Sequence, residues 1–203
     1  MKLNLGGTIL RINISFALAV TLTLILDESG FCATALFCCI VHEAGHIICL
    51  IILGEHPKLI ELSFYGIKLE RENPLYQKGF WEIAVYASGP AANLLLSALL
   101  FITGSSEGIK TAAVISLCVG AFNLIPCQPL DGGNILHFLL GRFMGDEKGE
   151  KICFFISCAV LAPMAALGLA VMLRSGNITL LTVSAYLAAA MFINKKENNK
   201  IKI

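Results

Sequence analysis

Uncharged or nearly uncharged stretches recur along the chain at about 8–26, 31–53, 81–103, 109–126, 152–173 and 178–193, with charged residues gathered between them. The hydrocarbon core of a bilayer is about 30 Å thick and takes roughly 20 apolar residues as helix. The pattern therefore predicts about six transmembrane helices, with Arg11 reaching back to the headgroups from the first. The 54–80 connection differs. Ile60, Leu62 and Phe64, then Ile67 and Leu69, alternate loosely around Gly66. That predicts a short interfacial β-strand or hairpin after the second helix, and a plain interfacial re-entrant loop fits the same residues. The expected fold class is an all-α polytopic membrane protein, one domain over residues 1–203.

Composition agrees. The 203 residues are 57% hydrophobic and 14% charged, whereas soluble domains carry roughly 25% charge. An ordinary soluble domain and a disordered tail are both excluded. Fifteen Lys and Arg against fourteen Asp and Glu leave a net charge of +1, so no basic excess exists to neutralise a row of phosphates. Nucleic acid is not an expected partner; the lipid bilayer is.

The basic residues orient the helices. Six crossings put thirteen of the fifteen on one side: Lys2 and Arg11, Lys58 to Lys78, Arg142 to Lys151, and Lys195 to Lys202. Only Lys110 and Arg174 lie opposite. By the positive-inside rule both termini are cytoplasmic in a multi-pass protein of the cell membrane. Reading the first span as a cleavable signal peptide would leave five, and its apolar part from Ile12 to Leu26 is long for one. The eight cysteines fall mostly inside the spans without a C-x-x-C pair, and read as small apolar packing residues kept reduced. Tyr76, Phe80, Trp81 and Tyr86 cluster where the third span begins, as an aromatic belt would.

Carboxylates inside a hydrocarbon core are costly and mark function. Glu43 sits midway along the second span within Val41-His42-Glu43-Ala44-Gly45-His46. Residues i and i+4 share a helix face, so His42 and His46 can offer imidazole nitrogens to one zinc ion. Glu43 points beside that site and can take a proton from the attacking water without being a ligand. A hydrogen-bonded polar cluster joining helices is the plainer alternative. An open catalytic zinc site needs a third protein ligand. Asp131, in Asn123-Leu-Ile-Pro-Cys127-Gln-Pro-Leu-Asp131-Gly-Gly, is the candidate. Two prolines end the helix before it, and two glycines permit unusual backbone after it. A solvated aspartate in a cytoplasmic turn is the bland reading. Cys127, as a thiolate, is the alternative ligand. His56 and His137 fall outside the spacing, His137 as a packing or interfacial histidine.

These motifs resemble the site-2 protease family of intramembrane zinc metalloproteases (peptidase family M50). Ser88-Gly-Pro-Ala-Ala-Asn93, between the other two, is similar to that family's small-Gly-Pro-x-x-Asn signature. The resemblance runs from the second span to the fourth. Within the family, the chain looks most like the stage IV sporulation protein FB group, whose segment after the zinc helix resembles Leu62 to Glu70. It departs from that group in lacking a C-terminal cystathionine-β-synthase-type domain. It also has no room for the PDZ domains of another branch.

The resemblance implies one Zn²⁺ per chain held by His42, His46 and Asp131, with Glu43 as the catalytic acid/base. It implies that Asn123 binds the substrate backbone or the developing oxyanion, and that Asn93 is a polar residue near the site. Phe64 and Gly66, on the interfacial segment, are the further substrate-binding candidates, through strand addition to an unwound substrate. The reaction implied is peptide-bond hydrolysis in or near a transmembrane segment of a membrane-tethered protein, with a pro-sigma factor in sporulation as the substrate. A membrane-protein inhibitor or regulator is the further partner. His46 lies seven residues from the end of its span at Leu53, about 10 Å of helix rise, so the site is expected below the cytoplasmic surface. Two other functions use the same residues. A metal-ion transporter would more naturally show inverted repeats and paired broken helices; an inactive scaffold of protease ancestry would not need the intact H-E-x-x-H.

Overall fold

In this computed structural model every residue is described except 1, 6–7, 28, 56, 64–65, 72–79 and 202–203. Among the described residues seven helices dominate, with one small sheet. In chain order the elements are β1 (Lys2–Leu5), β2 (Thr8–Ile12), α1 (Ile14–Leu26), α2 (Phe31–Ile52), β3 (Pro57–Ser63), β4 (Gly66–Arg71), α3 (Trp81–Thr103), α4 (Glu107–Asn123), α5 (Asp131–Met144), α6 (Asp146–Ser175) and α7 (Thr179–Ile201). They group into two compact units, residues 1–121 and 122–203.

The first unit holds the sheet, ordered β1-β2-β3-β4. β1 and β2 pair antiparallel, as do β3 and β4. β2 lies parallel to β3, with Ile9 opposite Leu59 and Leu10 opposite Ile60. A parallel pair needs a long crossover between its strands, and here α1 and α2 supply it. The fold is mostly helical, as expected, but residues 8–12, read as the start of the first span, are a strand instead. Phe64 lies outside the described residues; Gly66 opens β4.

Beside the sheet, α2 packs on α3. Small residues let their backbones approach, as in membrane helix pairs. A Cβ on Gly45 would stand 2.6 Å from the Ser88 carbonyl oxygen and 2.9 Å from Ala92 Cβ. Buried hydroxyls tie α3 to α4: Ser97 Oγ donates to the Ala113 carbonyl at 2.8 Å, and Ser116 Oγ to the Asn93 carbonyl at 2.9 Å. The outer faces are apolar, with Ile52, Leu95 and Ile102 at least 70% exposed. That is a surface for lipid rather than water.

In the second unit α6 packs against both α5 and α7. Gly145, at φ 85°, turns the chain between α5 and α6, a left-handed conformation that favours glycine. The α5–α6 contact is close: a Cβ on Gly149 would meet Gly141 N at 2.6 Å. Cys127, Leu161, Leu187 and Met191 form the buried core.

Three helices are long and apolar enough to cross a bilayer: α2, α3 and α6. The 13 residues of α1 and 17 of α4 rise about 20 and 26 Å, short of the 30 Å core. The apolar part of α7, Thr179–Ile193, is shorter than a full span too. Against the six crossings expected, three helices among the described residues have full spanning length. Residues 127–151, expected as a connecting segment, instead contain α5 and the first turn of α6.

Candidate metal centre

The two histidines of the H-E-x-x-H motif sit on α2 as their spacing requires. Both are buried, at 6% and 7% exposure. Their Nε2 atoms are 3.2 Å apart, with the rings edge to face. A tetrahedral zinc ion with Zn–N bonds of about 2.0–2.1 Å separates two ligand nitrogens by about 3.3 Å. The observed spacing fits that ion.

The ring of His46 is held for the purpose. Its Nδ1 is 2.7 Å from the Val85 carbonyl oxygen on α3. A carbonyl can only accept, so Nδ1 carries the proton and Nε2 keeps its lone pair. Metal-binding histidines are commonly fixed this way through their second nitrogen. Ser88 Oγ donates to the same carbonyl at 2.7 Å and lies 3.5 Å from Nδ1.

One turn along α3, Gly89 leaves the space that the imidazoles fill. A Cβ there would sit 2.3 Å from His46 Nε2 and 2.9 Å from His42 Cε1. The sequence showed Gly89 as part of a motif but gave no reason for it. The reason is clearance, and the legible signal was a glycine on the span facing the zinc helix. Glu43 follows His42 on α2 and is half-buried.

Asp131 is the first residue of α5 and half-buried, so its charge lies at the favourable end of the helix dipole. The loop before it is folded back on that helix. Ile125, Cys127 and Leu130 donate backbone hydrogen bonds to Phe122, Ile125 and Cys127, and Gln128 N reaches Ser157 Oγ at 3.1 Å. The glycines after Asp131 were expected to permit unusual backbone. Both are helical instead, and neither has positive φ. Their role is close approach: a Cβ on Gly132 would be 2.2 Å from the Leu124 carbonyl oxygen, and one on Gly133 2.4 Å from Gln128 N.

Cys127, the alternative ligand, is fully buried in the apolar core beside Leu161 and Met191, with its thiol toward the Gln128 carbonyl. It packs rather than ligates. His137 lies half-buried on α5. His56 is outside the described residues. Asn123 is the last residue of α4. Asn93 is on α3 with no exposed surface, which removes it from direct contact with a substrate in this conformation. Of the three expected ligands, His42 and His46 lie in the first unit and Asp131 in the second.

The comparisons agree with this chemistry. Residues 103–164, which include Asn123 and Asp131, match the family model "Peptidase family M50". A putative zinc metalloprotease of Synechocystis is 33% identical over 127 residues, covering 57% of this chain and 33% of that protein. A zinc metalloprotease of Methanocaldococcus jannaschii is 29% identical over 196 residues, 89% of this chain and 56% of the other. The chain thus spans between a third and just over half of these relatives' lengths. A solved site-2 protease from Methanocaldococcus jannaschii shares the fold, with a TM-score of 0.66 and 24% identity over 94% of this chain and 93% of that one. The match to that family model thus covers residues 103–164, while the likeness to the solved protein, over 94% of this chain, is one of fold.

Proposed function

We propose that the chain is an intramembrane zinc metalloprotease that hydrolyses a peptide bond in or near the transmembrane segment of a membrane-tethered protein. The observation that carries this reading is the pair of buried Nε2 atoms 3.2 Å apart on α2, with Glu43 next to the first histidine. Asp131 is the third ligand in this reading. Zinc, when bound, supplies a Lewis acid that polarises the scissile carbonyl and makes water acidic enough to attack near neutral pH. Glu43 takes the proton from the attacking water and delivers it to the leaving nitrogen. The Val85 carbonyl and Gly89 keep His46 in the tautomer and position that the ligand role needs. Asn123 donates to the substrate carbonyl as negative charge develops there, an interaction worth about 10²–10³ in rate where it is made by a single donor.

The substrate has to be extended to be cut. β4 is an edge of the sheet, and an unwound substrate segment adds to such an edge through its main-chain hydrogen bonds. Gly66 opens that strand, and the neighbouring Phe64 is the other contact proposed. The stage IV sporulation protein FB group, a pro-sigma factor substrate, six crossings and cytoplasmic termini complete the reading on the strength of the resemblance and the charge distribution. Co-expression with candidate membrane-tethered substrates tests it. Cleavage by the wild type and none by Glu43→Gln is the expected result; equal cleavage by both would remove the assignment.

A further inference from the structure

The buried polar chemistry of the first unit extends beyond the histidines. On α3, Val85, Gly89 and Asn93 are spaced four apart, so they form one stripe on one helix face. Val85 holds His46 and Gly89 lies flush against both imidazoles. Asn93 comes next, about 6 Å of helix rise further on. It is 0% exposed, and both Oδ1 and Nδ2 lack a hydrogen-bond partner among the described residues. A carboxamide offers two donors and two acceptors, and buried groups of this kind are nearly always satisfied by protein or by ordered water.

The surroundings are small and polar where a packing role would need bulk. Facing Asn93 on α4 are Ser116, whose Oγ donates to the Asn93 carbonyl at 2.9 Å, and Gly120, where a Cβ would come within 3.2 Å of Asn93 Cβ. The asparagine is therefore met on α4 by a face made of a small polar residue and a glycine. Its side chain is sealed from bulk solvent and from any macromolecule. Water is the ligand whose size and paired donor–acceptor chemistry fit.

We propose that Asn93 is an internal water-binding site, holding ordered water between α3 and α4 one helical turn from the histidine pair. The proposal stands on the burial and the unpartnered amide.

A structure of the wild-type chain at a resolution that shows waters tests this. Density for a water within about 2.7–3.2 Å of Oδ1 or Nδ2 is expected, and an empty amide overturns the proposal.

Discussion

At the residue scale, the proposed function gives metal binding to His42 and His46 and proton transfer to Glu43, and single substitutions should separate the two. Glu43→Gln keeps the shape of the side chain but removes its basicity. Proteolysis should fall by about 10²–10⁴, the range for a lost general acid–base group, while zinc content measured on the same preparation stays at the wild-type level. Gly89→Ala makes the opposite separation. Its Cβ would overlap the ring of His46 at 2.3 Å from Nε2, so zinc binding should weaken by about 10–100-fold, as when a metal-supporting contact is lost. Glu43 would remain intact, and titration with a chelator of known affinity would read the change. The ligand face was legible because helix periodicity alone puts i and i+4 together. The fixing of His46 was not, because its partner is a main-chain carbonyl, and any residue at position 85 carries one.

At the scale of elements, α2 is anchored by a cap that lies before it. Asp27 accepts from Ser29 N at 3.1 Å and from Cys32 N at 2.6 Å, and from the Ser29 hydroxyl. The Ser29 hydroxyl bond and the Cys32 backbone bond hold its carboxyl below the usual value of 3.8. A carboxyl depressed in the folded state adds stability that is present above its unfolded pKa and lost as pH falls through its folded one. Asp27→Asn should therefore lower the melting temperature in detergent at neutral pH, with the difference shrinking below 3.8. A difference independent of pH would contradict the cap. The same scale shows where sequence reading stopped. A search for spans of about 20 apolar residues passes over α5, only 14 residues long and amphipathic. It also absorbs β2, whose Ile9, Leu10 and Ile12 look like the start of a span. The partner that makes them a strand, β3, is more than forty residues away.

At the scale of the whole molecule, thirteen of fifteen basic residues fall on one side of a six-crossing arrangement, while three helices among the described residues have full spanning length. Both observations bear on where the ends lie. Reporter fusions at the two termini should both report cytoplasm; one terminus outside would require an odd number of crossings and break the charge argument. The fold class was readable in outline because apolar length is a local property. How the short helices α1 and α4 are accommodated was not, since it depends on packing against neighbours.

The central claim is that His42, His46 and Asp131 bind a single zinc ion. Metal analysis of the purified wild-type chain beside His46→Ala and Asp131→Asn tests it most directly. The account predicts about one zinc per chain in the wild type, as for a site with three protein ligands, and marked loss in both variants. Zinc retained in full by Asp131→Asn, or absent from a folded wild type supplied with zinc, would contradict it.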